Sequence, residues 1–438
     1  MHFCQFWNHK LLKRVIDRKR DVAVLDIGTN KVCFAIAKSD QKSMETSAIE
    51  RETDSRVLGV GYQLAKGIKR GAITNLEELE DSILNAITTA EKEAQKSVRS
   101  VFVALPSWAI ESQGVENSIN IGQVPIDDIH VNSLIDFDTT KYVDEAMEVI
   151  HVFPVSFSVD DAKGIQDPIG MLGEKLSAVV HIMSAPASFV KNIKNCLNRN
   201  NIEVEGFIAS TYASGLSVIL DEEISSGVTL IDIGGSTTSI ACFCEGTLLY
   251  LGAIPIGSQN ITNDISMILR TSRSQAERLK ILYGVTPGGS TTDEEQILIP
   301  RVDEYGEEHI QNISKSMLDS IIRARLEEIL DLAQNHINGC GADSAIYQRI
   351  VITGGGSRIS GLNELVKAKR YFSGSSIRLG KPIGTIGSHD FVQTASFASA
   401  AGVILYSFGD FLNNTSMKLL HSKKTFWQKI ITWFKRGV

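Results

Sequence analysis

The feature that most constrains this chain is a short pattern that occurs twice. Val228 to Ile240 reads V-T-L-I-D-I-G-G-S-T-T-S-I, and Val22 to Ala35 reads V-A-V-L-D-I-G-T-N-K-V-C-F-A. In each, apolar and β-branched residues run into an aspartate, a Gly-containing turn follows, and apolar residues resume, which is the signature of a strand, a tight turn and a second strand. Glycines in such a turn allow backbone N–H groups to approach an anion closely, and neighbouring hydroxyls add donors. An aspartate at the strand end suits the hydration shell of Mg²⁺, which keeps several waters and meets protein through one or two carboxylates. A third Gly-rich turn, V-I-T-G-G-G-S-R-I-S-G-L, begins at Val351. One such turn alone reads more readily as an ordinary Gly-rich hairpin; three, each after an apolar strand, point to a nucleotide site.

Composition narrows the class. At 438 residues the chain is long enough for two or more domains with large cores. A net charge of −7 argues against a general nucleic-acid binder. The six cysteines show neither disulfide nor zinc spacing, and Cys242 and Cys244 read as strand packing, so the expectation is a reduced, cytoplasmic protein. No stretch is apolar enough to span a bilayer. Residues 1–20 are basic without an apolar core, unlike a secretory signal.

Between the motifs, Thr74 to Gln95 reads as a helix with a Thr74/Glu77 capping box and an apolar face of Leu76, Leu79, Ile83, Ile87 and Ala90. Ser107 to Lys175 changes character and reads as an inserted α+β module, with a helix candidate after Asp144. L-S-A-V-V-H-I-M is a strand and Ser184 to Arg199 a helix. Two helices follow Gly257, the second ended by Gly284 and carrying Glu277 and Lys280 on one face. Met317 to Ile337 is an amphipathic helix bearing Arg323 and Arg325, and Thr394 to Phe408 a final small-residue helix.

From Phe411 onward the chain has no acidic residue. At about 100° per residue, Phe426, Trp427, Ile430, Ile431, Trp433 and Phe434 share one helical face, with Lys424, Lys429, Lys435 and Arg436 opposite or at its edges. A basic polar face against an aromatic apolar face describes a helix lying in an anionic membrane interface. A terminal helix docked on the body or on a partner is the alternative.

The three turns in order, Asp-x-Gly-Thr, Asp-x-Gly-Gly and T-G-G-G, resemble the nucleotide site of the actin, Hsp70 and sugar-kinase superfamily. G-A-I-T-N-L-E-E-L-E-D-S-I, H-V-F-P-V-S-F-S-V-D, P-I-G-M-L-G-E-K-L, N-I-T-N-D-I and S-Q-A-E-R-L-K, together with the insertion and the basic aromatic tail, are similar to the FtsA family of bacterial cell-division proteins. The resemblance covers nearly all of residues 21–438.

It implies an α/β, actin-like fold of two lobes, built from duplicated ribonuclease-H-like domains, with an inserted α+β subdomain and a C-terminal amphipathic helix. The division it implies is a first lobe at 21–106 and 176–225, the insert at 107–175, a second lobe at 226–258 and 338–410, and a smaller subdomain at 259–337. Residues 1–20 form an extension, 411–422 a linker, and 423–438 the membrane helix. By motif match, Asp26, Gly28, Thr29, Asn30 and Lys31 form the first phosphate loop, with Lys31 reaching phosphate oxygens. Gly234, Gly235, Ser236 and Thr237 form the second. Asp26 and Asp232 hold Mg²⁺ through water. Gly354, Gly355 and Gly356 lie beside the adenosine, with Glu277 and Lys280 at its ribose and base. Arg325, with Lys315 nearby, receives the C-terminal tail of FtsZ.

The cofactors implied are ATP and Mg²⁺. The implied partners are FtsZ, a second copy of the chain, other division proteins and an anionic membrane surface, and nucleic acid is not among them. The implied location is the cytoplasmic side of the inner membrane at the division site. Two departures stand out. Ser236 replaces a third glycine common among relatives, and Ala209 lies where Hsp70-like ATPases carry a water-positioning Glu, which implies slow hydrolysis. A sugar-type kinase, needing an acidic base at the substrate hydroxyl, and an MreB-like filament scaffold share the fold and remain alternatives.

Overall fold

The computed structural model describes residues 21–40, 54–69, 72–285, 295–302, 308–339, 348–369, 371–372, 374–386 and 393–408. The terminal helix expected at 423–438, with all its membrane-facing residues, lies outside them.

Two sheets with the same topology organise the molecule. In the first, strand Asp21–Ile27 pairs antiparallel with Lys31–Asp40, which pairs antiparallel with Asp54–Leu64. On its other side Asp21–Ile27 lies parallel to Ser100–Leu105, which lies parallel to Glu203–Ala209. The second sheet repeats this connection for connection. Val228–Ile233 pairs with Thr238–Cys244 and that with Thr247–Ile254, while Arg349–Thr353 and Ser376–Leu379 continue in parallel. The central strands are nearly continuous apolar runs because both of their faces are covered. Val24, Leu25, Leu230 and Ile231 are all fully buried.

Helices close the faces. Leu76–Ala94 buries Leu79, Ile83, Ala86, Ile87 and Ala90 on its inner stripe. Its cap is Asn75, whose side chain accepts from the amides of Glu77 and Glu78, so the expected Thr74 capping box is replaced by a cap one residue later. Ala187–Arg199 begins three residues after Ser184, since Ser184 to Pro186 continue the preceding strand.

The insert is a four-stranded antiparallel sheet in the order Glu111–Asn120, Lys175–Pro186, Met147–Val159, Ala162–Ile165, covered by helix Asp128–Ile135. It has its own core of Ile126, Leu134, Phe157 and Leu176 among others. Two expectations change here. Lys175–Pro186 is hydrogen-bonded on both sides inside this sheet, so the insert extends past Lys175 to about Pro186. After Asp144 the chain makes a turn, with the Asp144 carboxylate accepting from the Ala146 amide, and enters a strand rather than a helix.

The end of the chain also departs from the expected division. Thr385–Ile386 adds to the first sheet beside Ser55 and Arg56, and helix Ala398–Ser407 packs its Ala401 and Ile404 with Val22, Val24 and Phe102 of the first lobe. Residues 385–386 and helix Ala398–Ser407 therefore belong to the first lobe. The final helix sits directly on helix Ser210–Val218: a Cβ at Gly402 would lie 1.7 Å from the Ala213 carbonyl oxygen, so only glycine fits.

Helices Ser258–Leu269, Arg273–Tyr283 and Lys315–Gly339, with hairpin Gln296–Val302/Glu308–Ser314, form the smaller subdomain against the second sheet. No helix among the described residues is long and apolar enough to cross a membrane.

Candidate nucleotide cleft

The topology brings the two hairpin turns together at the mouth of a cleft of about 540 Å³, a size ordinary for a small-molecule site. The turns are built alike. The Gly28 amide donates to the Lys31 carbonyl at 2.9 Å, and the Gly234 amide to the Thr237 carbonyl at 2.9 Å. Those two amides are therefore committed to closing the hairpins. Among the described residues, the amides of Thr29, Asn30, Gly235 and Ser236 make no backbone hydrogen bond and remain for a ligand. Asn30 bridges the turns: its side-chain amide sits 2.9 Å from where a Gly235 Cβ would be, and its Oδ1 is buried without a partner in the described structure.

Asp26 and Asp232 occupy matching positions, one residue before the end of each first strand. Desolvation raises the pKa of both carboxyls. Lys31 opposes the rise at Asp26. At Asp232 burial is opposed by the hydrogen bond from Ser214 Oγ at 2.7 Å and reinforced by the charge of Asp26, and the outcome is a value of about 6. Among the described residues there is no cluster of three or more metal-ligating side chains. A facing carboxylate pair suits Mg²⁺ held through water, which needs only one or two protein carboxylates.

Lys31 lines the cleft but does not point freely into it. Its Nζ donates to the Ser396 carbonyl at 2.8 Å and lies 3.3 Å from the centroid of the Phe397 ring. Burial pushes the ammonium pKa down, against the fields of Cys33 and Asp26.

On the opposite wall Lys280 is buried, and its Nζ donates to Glu277 Oε2 at 2.7 Å, Thr262 Oγ1 at 2.9 Å and the Ser258 carbonyl at 3.3 Å. With its three donors used, Lys280 fixes Glu277, and Glu277 is the group left to meet a ligand hydroxyl. Gly354 has φ +87°, and a Cβ there would lie 2.2 Å from Asp232 Oδ1, so the third turn can close on the second hairpin only with glycine. Gly355 and Gly356 follow in the cleft wall.

All the cleft residues anticipated from the motifs therefore meet in one place except Ser236. Its hydroxyl donates to Gln259 Oε1 at 3.2 Å, outside the cleft lining. Residues without a motif signal also line the cleft. Ser107, Ser210 and Thr211 form a hydroxyl cluster near Ala209, and Ser396 and Ser399 arrive from the C-terminal segment. Arg358, the last residue of G-G-G-S-R, lines it as well, and its Nη1 donates to Ser396 Oγ at 3.4 Å.

Arg325 and Lys315 lie apart from the cleft on helix Lys315–Gly339. Arg325 makes a two-point ion pair with Asp264, at 2.5 and 2.9 Å, and a further pair with Glu328. Lys315 pairs with Glu295 at 2.7 Å.

Two copies of one five-stranded plan facing across such a cleft define the class: an actin-like, two-lobed protein with an inserted subdomain. Solved structures agree on the fold. The PilM–PilN type IV pilus biogenesis complex aligns with a TM-score of 0.59 at 15% identity, over 88% of this chain and 98% of that one. MreB5 of Spiroplasma citri bound to ADP aligns with a TM-score of 0.52 at 13% identity, over 90% and 98%.

Sequence comparison is more specific. The family described as Cell division protein FtsA matches residues 229–402, and the SHS2 domain inserted in FTSA matches residues 109–184, in agreement with the span of the inserted sheet. Cell division protein FtsA of Rhizobium meliloti is 31% identical over 389 residues, covering 89% of this chain and 87% of that protein. The protein of that name from Pseudomonas aeruginosa is 30% identical over 382 residues, covering 87% and 88%. The chain belongs to the FtsA family of cell division proteins, and its role lies in cell division.

Proposed function

We propose that this chain is a nucleotide-binding adaptor: it binds Mg²⁺ and ATP in the cleft, self-assembles, receives the C-terminal tail of FtsZ near Arg325, and holds that polymer to the cytoplasmic face of the membrane through residues 423–438. The observation that carries the nucleotide part is the pair of matched hairpins with free amides, facing aspartates and Asn30 Oδ1 unpartnered between them. Amides and Lys31 suit a polyphosphate, the aspartates its hydrated metal, and Glu277 a ribose hydroxyl.

The carboxylates on the cleft lining are Asp26, Asp232 and Glu277. The first two sit under the hairpin turns and the third is tied to Lys280, while hydroxyls surround Ala209. No carboxylate on the described lining is placed as a general base, which supports ATP as a structural and assembly ligand with slow turnover and disfavours the kinase reading. Arg325 offers its guanidinium to a tail carboxylate by exchanging it for Asp264.

The membrane part rests on the tail pattern. Flotation with anionic vesicles is expected to carry the full chain upward and leave behind a chain stopped after Ser422. Equal flotation of both would remove the tail as the anchor.

A further inference from the structure

We infer that Phe397 is a positioning residue for polyphosphate binding: its ring, together with the Ser396 carbonyl, presents the Lys31 ammonium from the cleft wall. The inference rests on the nucleotide reading above and deepens it.

Phe397 is far from the phosphate motifs in sequence, yet the Lys31 Nζ lies 3.3 Å from its ring centroid and 2.8 Å from the adjoining carbonyl. An ammonium over a ring face is held by the ring quadrupole, and more strongly where water is excluded. The ring itself is fixed. It is 4% exposed, packs in the first-lobe core with Ala401 and Ile404, and meets Tyr62 edge-on at 6.1 Å.

A lysine has a long flexible stem, and this one would otherwise have a nearer charge to choose. Asp26 lies within range of its field, on the same hairpin. The two form no ion pair in the described structure; the ammonium is instead drawn to the wall. The groups that act on it are Asp26 and Cys33 from the first hairpin and Arg358 from the third turn. Phe397 and Ser396 thus do two things. They keep Lys31 off the carboxylate that the metal needs, and they stabilise its charged form in a site whose burial disfavours it.

The experiment compares ATP and adenosine binding to the full-length chain by calorimetry, in the unchanged protein, Phe397→Leu and Phe397→Tyr. Loss of a cation–π contact of about 1.4 kcal/mol corresponds to about tenfold in affinity. Phe397→Leu is expected to weaken ATP about tenfold and leave adenosine within about twofold, because adenosine carries no phosphate. Phe397→Tyr, which keeps the ring face, is expected to restore ATP binding. The Leu variant is also expected to lose ATP affinity at a lower pH than the unchanged chain, since Lys31 loses support for its charge.

A ring-fluorinated phenylalanine at 397 keeps the shape and removes the quadrupole, so it serves if Phe397→Leu does not fold. Equal ATP binding by the fluorinated or Leu chain overturns the inference, as does an equal loss of ATP and adenosine, the mark of a purely structural role. If the unchanged chain binds neither compound, the nucleotide reading fails and this inference with it.

Discussion

The two hairpins share one backbone plan and differ in what they are fastened to. In both, a Gly amide closes the turn on a carbonyl three residues on, and an aspartate stands at the same register. The first hairpin carries the cation, Lys31, and is tied by it to the C-terminal segment at Ser396 and Phe397. The second carries no cation. Its turn carbonyls at Gly234 and Gly235 accept instead from the amides of Ser258 and Gln259, at 2.9 and 2.8 Å, fastening it to the start of the helix that supports Glu277 and Lys280. The shared plan supplies the cradle, and the differences place the cation on one half and the Glu277–Lys280 wall on the other.

The same contrast appears at the next strand of each lobe. Asp26 pairs in register with Ala104, and Asp232 with Thr353. One residue further on, the first lobe has the buried Leu105 and the second has Gly354. The largest expected effect in the second half follows from this. Gly354→Ala would place a methyl 2.2 Å from Asp232 Oδ1 at a φ of +87°. A destabilisation of about 3 kcal/mol is expected from the clash and the strained backbone together, with ATP affinity reduced on the order of 100-fold as the third turn is pushed from the cleft. Denaturant unfolding and calorimetry check both numbers. Near-normal behaviour would mean that the third turn does not close on Asp232.

Next in size is the electrostatic asymmetry of the two aspartates. Asp26 has Lys31 to oppose its rise, whereas Asp232 has the repulsion of Asp26 added to burial and rises to about 6. An Asp232 carboxyl raised above its ordinary 3.8 binds more protons in the folded than in the unfolded chain between those two values. Its contribution to stability is therefore greatest at low pH and declines as pH rises from about 4 to about 6. Asp232→Asn removes the decline, and the melting temperature at neutral pH is expected to rise by roughly 2 °C. The same change is expected to abolish the Mg²⁺ dependence of ATP binding. In the unchanged chain, Mg²⁺-dependent binding should weaken below about pH 6 as Asp232 takes up its proton. Asp26→Asn removes the repulsion felt by Asp232, so it is expected to move the Asp232 decline to lower pH rather than remove it. Equal profiles for the two variants would refute the asymmetry.

How much of this was legible in the sequence depends on the range of each contact. The hairpins and the third turn were readable because strand, aspartate and glycine are consecutive. Helix Arg273–Tyr283, with its end at Gly284, was readable for the same reason. The return of Thr385–Ile386 and helix Ala398–Ser407 to the first lobe was not, since Thr385 pairs with Ser55 and Lys31 meets Phe397 across most of the chain. The insert boundary failed for a related reason: Lys175–Pro186 is buried on nearly every residue, and an apolar run does not say which sheet it joins. Family resemblance pointed to Arg325 but not to its pairing with Asp264, a residue on another helix.

The smallest expected effect tests whether the second turn works through backbone alone. Ser236 stands where a phosphate-binding hydroxyl was anticipated, but it donates to Gln259 Oε1 at 3.2 Å and lies outside the cleft lining. If the turn offers only its amides, Ser236→Gly costs about 0.5–1 kcal/mol of stability through backbone freedom and the lost Gln259 bond. ATP affinity should stay within about twofold, because the amide at 236 is retained. Thr237 is the internal comparison: it lines the cleft at the position matching Lys31, so Thr237→Ala should weaken ATP more than Ser236→Gly does. The reverse order, read by the same calorimetry, would mean that the Ser236 hydroxyl leaves Gln259 for the ligand, and that the second hairpin has gained by side chain what the first has in Lys31.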